Sequence, residues 1–342
     1  MTGKAESKDI NLALQGGGAH GAFAWGVLDR LLEDDRLRIE AISATSAGAM
    51  NAAVCADGLL RGGPGEAREA LHDFWKDISE AGRYGPIFPS LASLFTGSHS
   101  LDDSPSYQMF DLLSRLFSPY QFNPFNINPL RTVLESHVDF DALRTTAGAL
   151  RLNICATNVE TGKIRIFENR ELTVDSVLAS ACLPFLFQSV EVDGEYFWDG
   201  GYIGNPAIFP LITGSRSCDV VIVHINPIKR KGCPKTAAEI LNRLNEISFN
   251  SSLMREMRAI AFVSDLIDRG KIKDGEMKRM HMHSIRAEDL MTSLGVSSKL
   301  NTDWRFLVSL RDHGRAAAER WLDGCYDRIG IESTIDIRAE FL

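Results

Sequence analysis

Near the N-terminus the apolar residues alternate between two rhythms. Ile10 to Leu14 is a short apolar run stopped by Gly16, Gly17 and Gly18, which predicts a buried strand ending in a turn. Phe23, Val27 and Leu31 then recur every four residues, as on one face of a helix. A second strand is predicted over Ile39 to Thr45, running into Ser46 and a small-residue helix that reaches about Ala56. Strand, helix, strand and helix at this spacing make a βαβ unit, so an α/β fold with a parallel sheet is expected. Later strands are expected at Leu152 to Ala156, Lys163 to Phe167 and Val220 to Ile225. The last is apolar on both faces until His224, as a central strand should be.

Two long helical patterns follow. Thr236 to Ile267 carries Ile240, Leu244, Ile247, Met254, Met257 and Ala261 on one stripe, expected to pack on the core, with a dimer contact or lipid-facing surface left open. Trp304, Leu307, Leu310, Ala317 and Trp321 predict a closing helix. Residues 86 to 129 break the rhythm. They hold six of the twelve prolines and six of the eighteen phenylalanines but only four charged residues. Their prolines forbid one long helix. Two readings stand: an insertion packed on the core, or an apolar lid beside an active site.

Composition adds exclusions. The chain has 342 residues, 44% hydrophobic, with 45 acidic against 37 basic side chains. That is enough for a sizeable core and argues against disorder, nucleic-acid partners and strong electrostatic binding to anionic membranes. No secretory signal or run of transmembrane length is read, and the six cysteines are scattered. Free thiols in a reducing cytoplasm are therefore expected, with no metal site.

Three places carry chemistry. Gly16-Gly17-Gly18-Ala19-His20-Gly21 satisfies the dinucleotide fingerprint G-x-G-x-x-G. Glu40, however, begins the second strand rather than ending it, where a ribose-binding acid should sit. What remains is a glycine turn whose N–H groups face an anion, either a phosphate or a developing oxyanion. Ala44-Thr45-Ser46-Ala47-Gly48 has the form of a nucleophile elbow with Ala44 for its first glycine. The Ala47 N–H would give one oxyanion donor and the glycine loop the other. Read alone, the same pentapeptide is a helix start capped by Ser46. Trp198-Asp199-Gly200-Gly201 reads either as a hairpin turn or as a fixed aspartate acting as general base.

Together these blocks, with Ala179-Ser180-Ala181-Cys182-Leu183-Pro184, resemble the patatin-like phospholipases over about Asn11 to Pro210. The resemblance implies a three-layer α/β/α sandwich and lipid acyl hydrolysis by a Ser46–Asp199 dyad without histidine or cofactor. It implies an oxyanion hole from Gly16, Gly17, Gly18 and Ala47, supported by His20, Gly21, Gly48, Gly200 and Gly201. Where this chain has His20 the family usually has Lys or Arg, so a charge there is expected to depend on pH. Residues 10–230 are expected to form the catalytic domain, with an insertion at about 84–130, and 231–342 a helical extension packed on it. Lipid or acyl-ester substrates are expected in a cytoplasmic enzyme. Peripheral contact with membranes or lipid droplets, and a homodimer, are left open. Two alternatives remain: a Ser-His-Asp esterase or thioesterase using His224, which stands in α/β-hydrolase order, and a non-catalytic lipid- or nucleotide-binding protein.

Overall fold

The computed structural model describes residues 7–83, 116–273 and 275–342. Most of the Pro/Phe-rich stretch, residues 84–115, lies outside the described residues. The strands among the described residues are β1 (Lys8–Leu14), β2 (Leu37–Ala44), β3 (Arg151–Asn158), β4 (Ile164–Glu168), β5 (Val190–Val192), β6 (Glu195–Asp199), β7 (Asp219–Val223) and β8 (His281–Ile285). They form one sheet whose hydrogen-bonded path runs β5-β6-β3-β2-β1-β7-β8, with β4 also paired to β3. The pairs β3–β2, β2–β1, β1–β7 and β7–β8 are parallel, whereas β4, β5 and β6 make the antiparallel contacts.

Helices cover both faces, as a sheet with apolar residues on each side requires. The longer ones are α1 (Gly21–Leu32), α2 (Ala47–Gly62), α3 (Pro64–Arg83), α4 (Pro129–His137), α5 (Val174–Ser180), α6 (Ala237–Asp268) and α7 (Trp304–Cys325). Ile10, Leu12 and Leu14 of β1 join a core with α1, α2, α3 and α7. Ala13, between them on the strand, points to the other face with Leu253, Met257 and Ile260 of α6. This is the three-layer α/β/α arrangement.

Two expectations need correction. The stripe on α6 does not pack along its whole length: Ile240, Leu244 and Ile247 are 43–55% exposed, while Met257 and Ala261 are buried. At 1.5 Å per residue, a helix of 32 residues runs about 48 Å. Strands of five to eight residues span only about 17–27 Å, so the helix outruns the sheet. The segment after residue 230 is also not purely helical, because β8 extends the sheet beyond β7.

The C-terminal part is nonetheless bound closely to the first helix. α1 and α7 cross where Gly26 faces Gly314: a Cβ on Gly26 would lie 1.9 Å from the Arg311 carbonyl oxygen, and one on Gly314 2.1 Å from that of Phe23. The obstructing atoms are helix backbone, which cannot step aside. Gly26→Val is expected to destabilise the protein by about 2–4 kcal/mol through overpacking. A urea midpoint equal to wild type would contradict this crossing.

Candidate active site

The first candidate side chain is set by a tight strand-to-helix turn. β2 ends at Ala44, the Thr45 N–H donates to the Leu14 carbonyl at 3.2 Å, and α2 begins at Ala47. Ser46 between them has φ 56° and ψ −124°. A non-glycine residue there is strained by roughly 1–3 kcal/mol and persists only where its surroundings hold it. They do: the Ser46 N–H donates to Ser180 Oγ at 2.9 Å, and the Ser46 carbonyl accepts from Met50 N–H at 3.1 Å. The Ser46 hydroxyl makes no capping bond, so the helix-cap reading fails.

Close approach explains the small residues. A Cβ on Gly48 would stand 2.6 Å from the Leu14 oxygen, one on Gly16 2.6 Å from Ser46 Cβ, and one on Gly21 2.6 Å from Ala47 Cβ. Ala44, fully buried, fits where the elbow pattern has its first glycine.

Asp199 arrives from the opposite direction. Ile154 of β3 pairs with Ala44 of β2 and also with Phe167 of β4; Ala156 pairs with Arg165 of β4 and also with Asp199 of β6. A strand residue has two edges, so β2 and β6 lie on the same edge of β3, with β4 on the other. One runs parallel and one antiparallel to β3, so their C-terminal ends meet. Ser46 lies two residues past one end and Asp199 closes the other.

The Asp199 carboxylate is buried, 1% exposed. Oδ1 accepts the Gly201 N–H at 2.7 Å, while Oδ2 has no partner among the described residues. Burial pushes its pKa up to about 6, against the lowering effect of the Gly201 N–H, the facing Ser46 hydroxyl and the charge of Lys299. The backbone is fixed by Asp199 N–H to the Cys182 oxygen at 2.8 Å and Thr157 Oγ1 to the Asp199 oxygen at 2.8 Å. Gly200 is required because a Cβ would come 2.1 Å from the Cys155 oxygen.

In the glycine loop, Gly16 N–H donates to Asn205 Oδ1 at 2.7 Å and is therefore already engaged. This corrects its expected place among free donors. The N–H groups of Gly17, Gly18 and Ala47 have no partner among the described residues. Gly18 takes φ 58°, a conformation that favours glycine. Glu40, midway along β2, accepts the N–H groups of Arg216 and Ser217, each at 2.8 Å.

Two histidines do not behave as expected. His20 is buried and its pKa falls to about 3, from burial and the charge of Lys299, so it stays neutral rather than carrying a pH-dependent charge. Its Nε2 lies 2.8 Å from Ser298 Oγ. His224 is also buried, with neither ring nitrogen hydrogen-bonded among the described residues, and its ring packs against Phe341. It therefore makes no hydrogen bond to Ser46 or Asp199, and the Ser-His-Asp arrangement is not formed. Among the described residues no cluster of His, Cys, Asp and Glu could hold a metal ion.

The family model for patatin-like phospholipases matches residues 12–212, more than half the chain. This chain belongs to the patatin-like phospholipase family. It is thus a lipid acyl hydrolase acting on ester bonds. Among solved structures, the patatin-like chain is similar to VipD from Legionella pneumophila, at 14% identity and TM-score 0.32, over 90% of this chain and 67% of that one. It is also similar to the ExoU–SpcU complex of the Pseudomonas aeruginosa type III secretion system, at 16% identity and TM-score 0.33, over 92% of this chain. It spans about half the ExoU chain, 53%. No curated protein matches significantly.

Motif reading missed several residues that shape this patatin-like site. Ser180 lay within a recognised block, but its bond to Ser46 crosses 134 positions. Gln15, Asn226 and Lys299 carried no local signal. Ser180→Ala would leave the buried Ser46 N–H unsatisfied and is expected to lower stability by about 1–3 kcal/mol. Chemical denaturation unchanged from wild type would show that this bond does not hold the strained turn.

Proposed function

We propose that the chain hydrolyses lipid carboxylic esters through a Ser46–Asp199 dyad. One observation carries this reading: a serine held at positive φ faces a buried carboxylate with one oxygen unpaired. Asp199 takes the proton of Ser46 as Oγ attacks the ester carbonyl. The tetrahedral oxyanion is held by the free N–H groups of Gly17, Gly18 and Ala47, with Gly16 fixing the loop. Protonated Asp199 returns its proton to the leaving alkoxide, giving an acyl-serine. Water then attacks, its proton passing through Asp199 to Ser46 Oγ as the acyl bond breaks.

Apolar surface supports a lipid substrate. Leu116, Phe117, Phe125, Ile127 and Phe185 are 46–87% exposed, and Ile240, Leu241, Leu244 and Ile247 extend α6 into solvent. A peripheral contact through these side chains fits a net charge of −8, which gives anionic surfaces no attraction. No helix among the described residues is long and apolar enough to cross a membrane. The buried thiols of Cys55, Cys155 and Cys182 fit a reducing, cytoplasmic compartment. Residues 10–230 are read as the catalytic domain, with 231–342 as an extension packed on it.

Ser46→Ala and Asp199→Asn should each lower kcat on a short-chain nitrophenyl ester by about 10³-fold or more. His224→Ala should keep most of it. A fluorophosphonate probe should label wild type but not Ser46→Ala; labelling of both would refute the nucleophile assignment.

The pH dependence follows from the base. Asp199 must be ionised to accept a proton, and its pKa is about 6. kcat/KM should rise as pH climbs through about 6 and fall below it as the carboxyl becomes protonated. An acid limb near 4 would mean that the base is a solvated carboxylate rather than buried Asp199.

A further inference from the structure

We infer that Lys299 is a positioning residue of the oxyanion loop, acting through Asn226 to turn the Gly17 N–H toward the reacting carbonyl and placing a cation beside the dyad. The inference rests on the dyad reading and adds a residue from the C-terminal extension to it.

Lys299 Nζ donates to Asn226 Oδ1 at 2.8 Å. Asn226 Nδ2 in turn donates to the Gly16 oxygen at 2.8 Å. An ammonium can only donate, so it draws the oxygen end of the Asn226 amide and leaves the NH₂ end for Gly16. In a trans peptide the C=O and N–H point in opposite directions. Holding the Gly16 carbonyl on the Asn226 side therefore turns the Gly17 N–H away from Asn226. Asn205 Oδ1 takes the Gly16 N–H. Gln15 Oε1 accepts the N–H groups of Ile225 and Asn226, each at 2.9 Å, so Asn226 is itself fixed. One loop peptide is thus held in one of its two orientations.

The Lys299 backbone is seated against the loop, and its ammonium lies beyond it. A Cβ on Gly18 would lie 2.4 Å from the Lys299 carbonyl oxygen. Ser298 Oγ donates to the Gly295 oxygen at 2.7 Å and so accepts from His20 Nε2, tying the Lys299 segment to the loop helix. Nζ stands 5.3 Å from the Phe249 ring centroid. The same ring meets Gly201, whose Cβ would be 2.4 Å from Phe249 Cε1. The ammonium thus shares a ring with the residue whose N–H binds Asp199.

The charged and titratable groups facing this pair come from several elements. Glu246 of α6, which also pairs with Arg230 and Arg243, and Asp199 both raise the Lys299 pKa. Burial outweighs them and brings it down to about 8. His20 is neutral beside it. Asp199 is faced by Lys299 and by Cys155, Cys182 and Tyr202, whose pKa values are raised. Removing the Lys299 charge should therefore raise the Asp199 pKa.

The test uses the full chain, a short-chain nitrophenyl ester, and the Lys299→Met, Lys299→Arg, Asn226→Asp and Ser46→Ala variants. Lys299→Met should lose about 10–100-fold in kcat with KM changed less than about twofold, less than removing a donor outright. Its acid limb should move above that of wild type; wild type should also lose rate above about 8 as Lys299 gives up its proton, and that alkaline limb should vanish in Lys299→Met. Lys299→Arg should recover most of the rate, and Asn226→Asp, which cannot donate to Gly16, should lose as much as Lys299→Met. Thermal unfolding of each variant separates these effects from loss of fold. Wild-type kcat and unshifted limbs in Lys299→Met would overturn the inference. So would a loss that Lys299→Arg does not recover and that leaves both limbs in place. An active Ser46→Ala protein would instead overturn the dyad reading, which the Lys299 variants do not probe.

Discussion

The structure turns on a meeting of strand ends. β2 and β6 share one edge of β3 and approach each other along it, so the chain leaving each strand must turn away at nearly the same place. Thr45 and Gly200 crowd each other there: a Cβ added at Gly200 would lie only 3.0 Å from Thr45 Cγ2. Backbone is so close that larger side chains have no room. The glycines at 16, 48 and 200 follow from this crowding, as does the positive φ of Ser46. The geometry of the candidate site is thus a consequence of sheet topology.

Holding that junction requires buried polar groups, and most of them are hydrogen-bonded, as burial demands. Gln15 is the clearest case: its oxygen accepts two N–H groups and its nitrogen donates to the Asn205 oxygen and to Asn250 Oδ1. Asn205, Asn226 and Asn250 continue the network between the glycine loop, β7 and α6. An amide network of this kind is rigid only when complete, because one missing partner leaves several others unpaired. Among the described residues Asn205 Nδ2 is left without a partner, and so, outside the network, is the Oδ2 of Asp199. The latter is the polar atom the proposed chemistry needs free.

The legible parts of this architecture are those written locally. β1, β2, α1 and α2 follow from apolar periodicity, and the glycine loop and elbow from residues within a few positions of one another. Asp-Gly pairs show where local reading stops. Asp193 and Gly194, at φ 52° and 81°, form the two-residue turn of the β5–β6 hairpin. Asp199 and Gly200 end the same hairpin and begin a 3₁₀ turn at the site. Only tertiary placement distinguishes the two pairs. β8 and the exposed start of α6 were illegible for a related reason: strand pairing and the extent of a neighbouring sheet are not properties of a segment. Lys299 and Asn226 are the extreme case, 73 residues apart and joined by one hydrogen bond.

The proposed dyad, which uses no histidine, places its whole burden on the environment of one carboxylate. Moving Asp199 from an ordinary value of 3.8 to about 6 costs its ionised form about 3 kcal/mol. That makes it a better base, but deeper burial without compensation would leave it protonated at neutral pH and useless for the first proton transfer. The opposing effects must therefore be retained: the Gly201 N–H, the Ser46 hydroxyl and the Lys299 charge. Two of the three belong to the family-matched segment, and the third comes from residues beyond it. The C-terminal extension, joined to α1 through the Gly26–Gly314 crossing, is then part of the electrostatic balance of the site as well as of the fold. Removing it would take away the Lys299 carbonyl packed against Gly18 and the charge that helps keep the buried Asp199 carboxylate ionised.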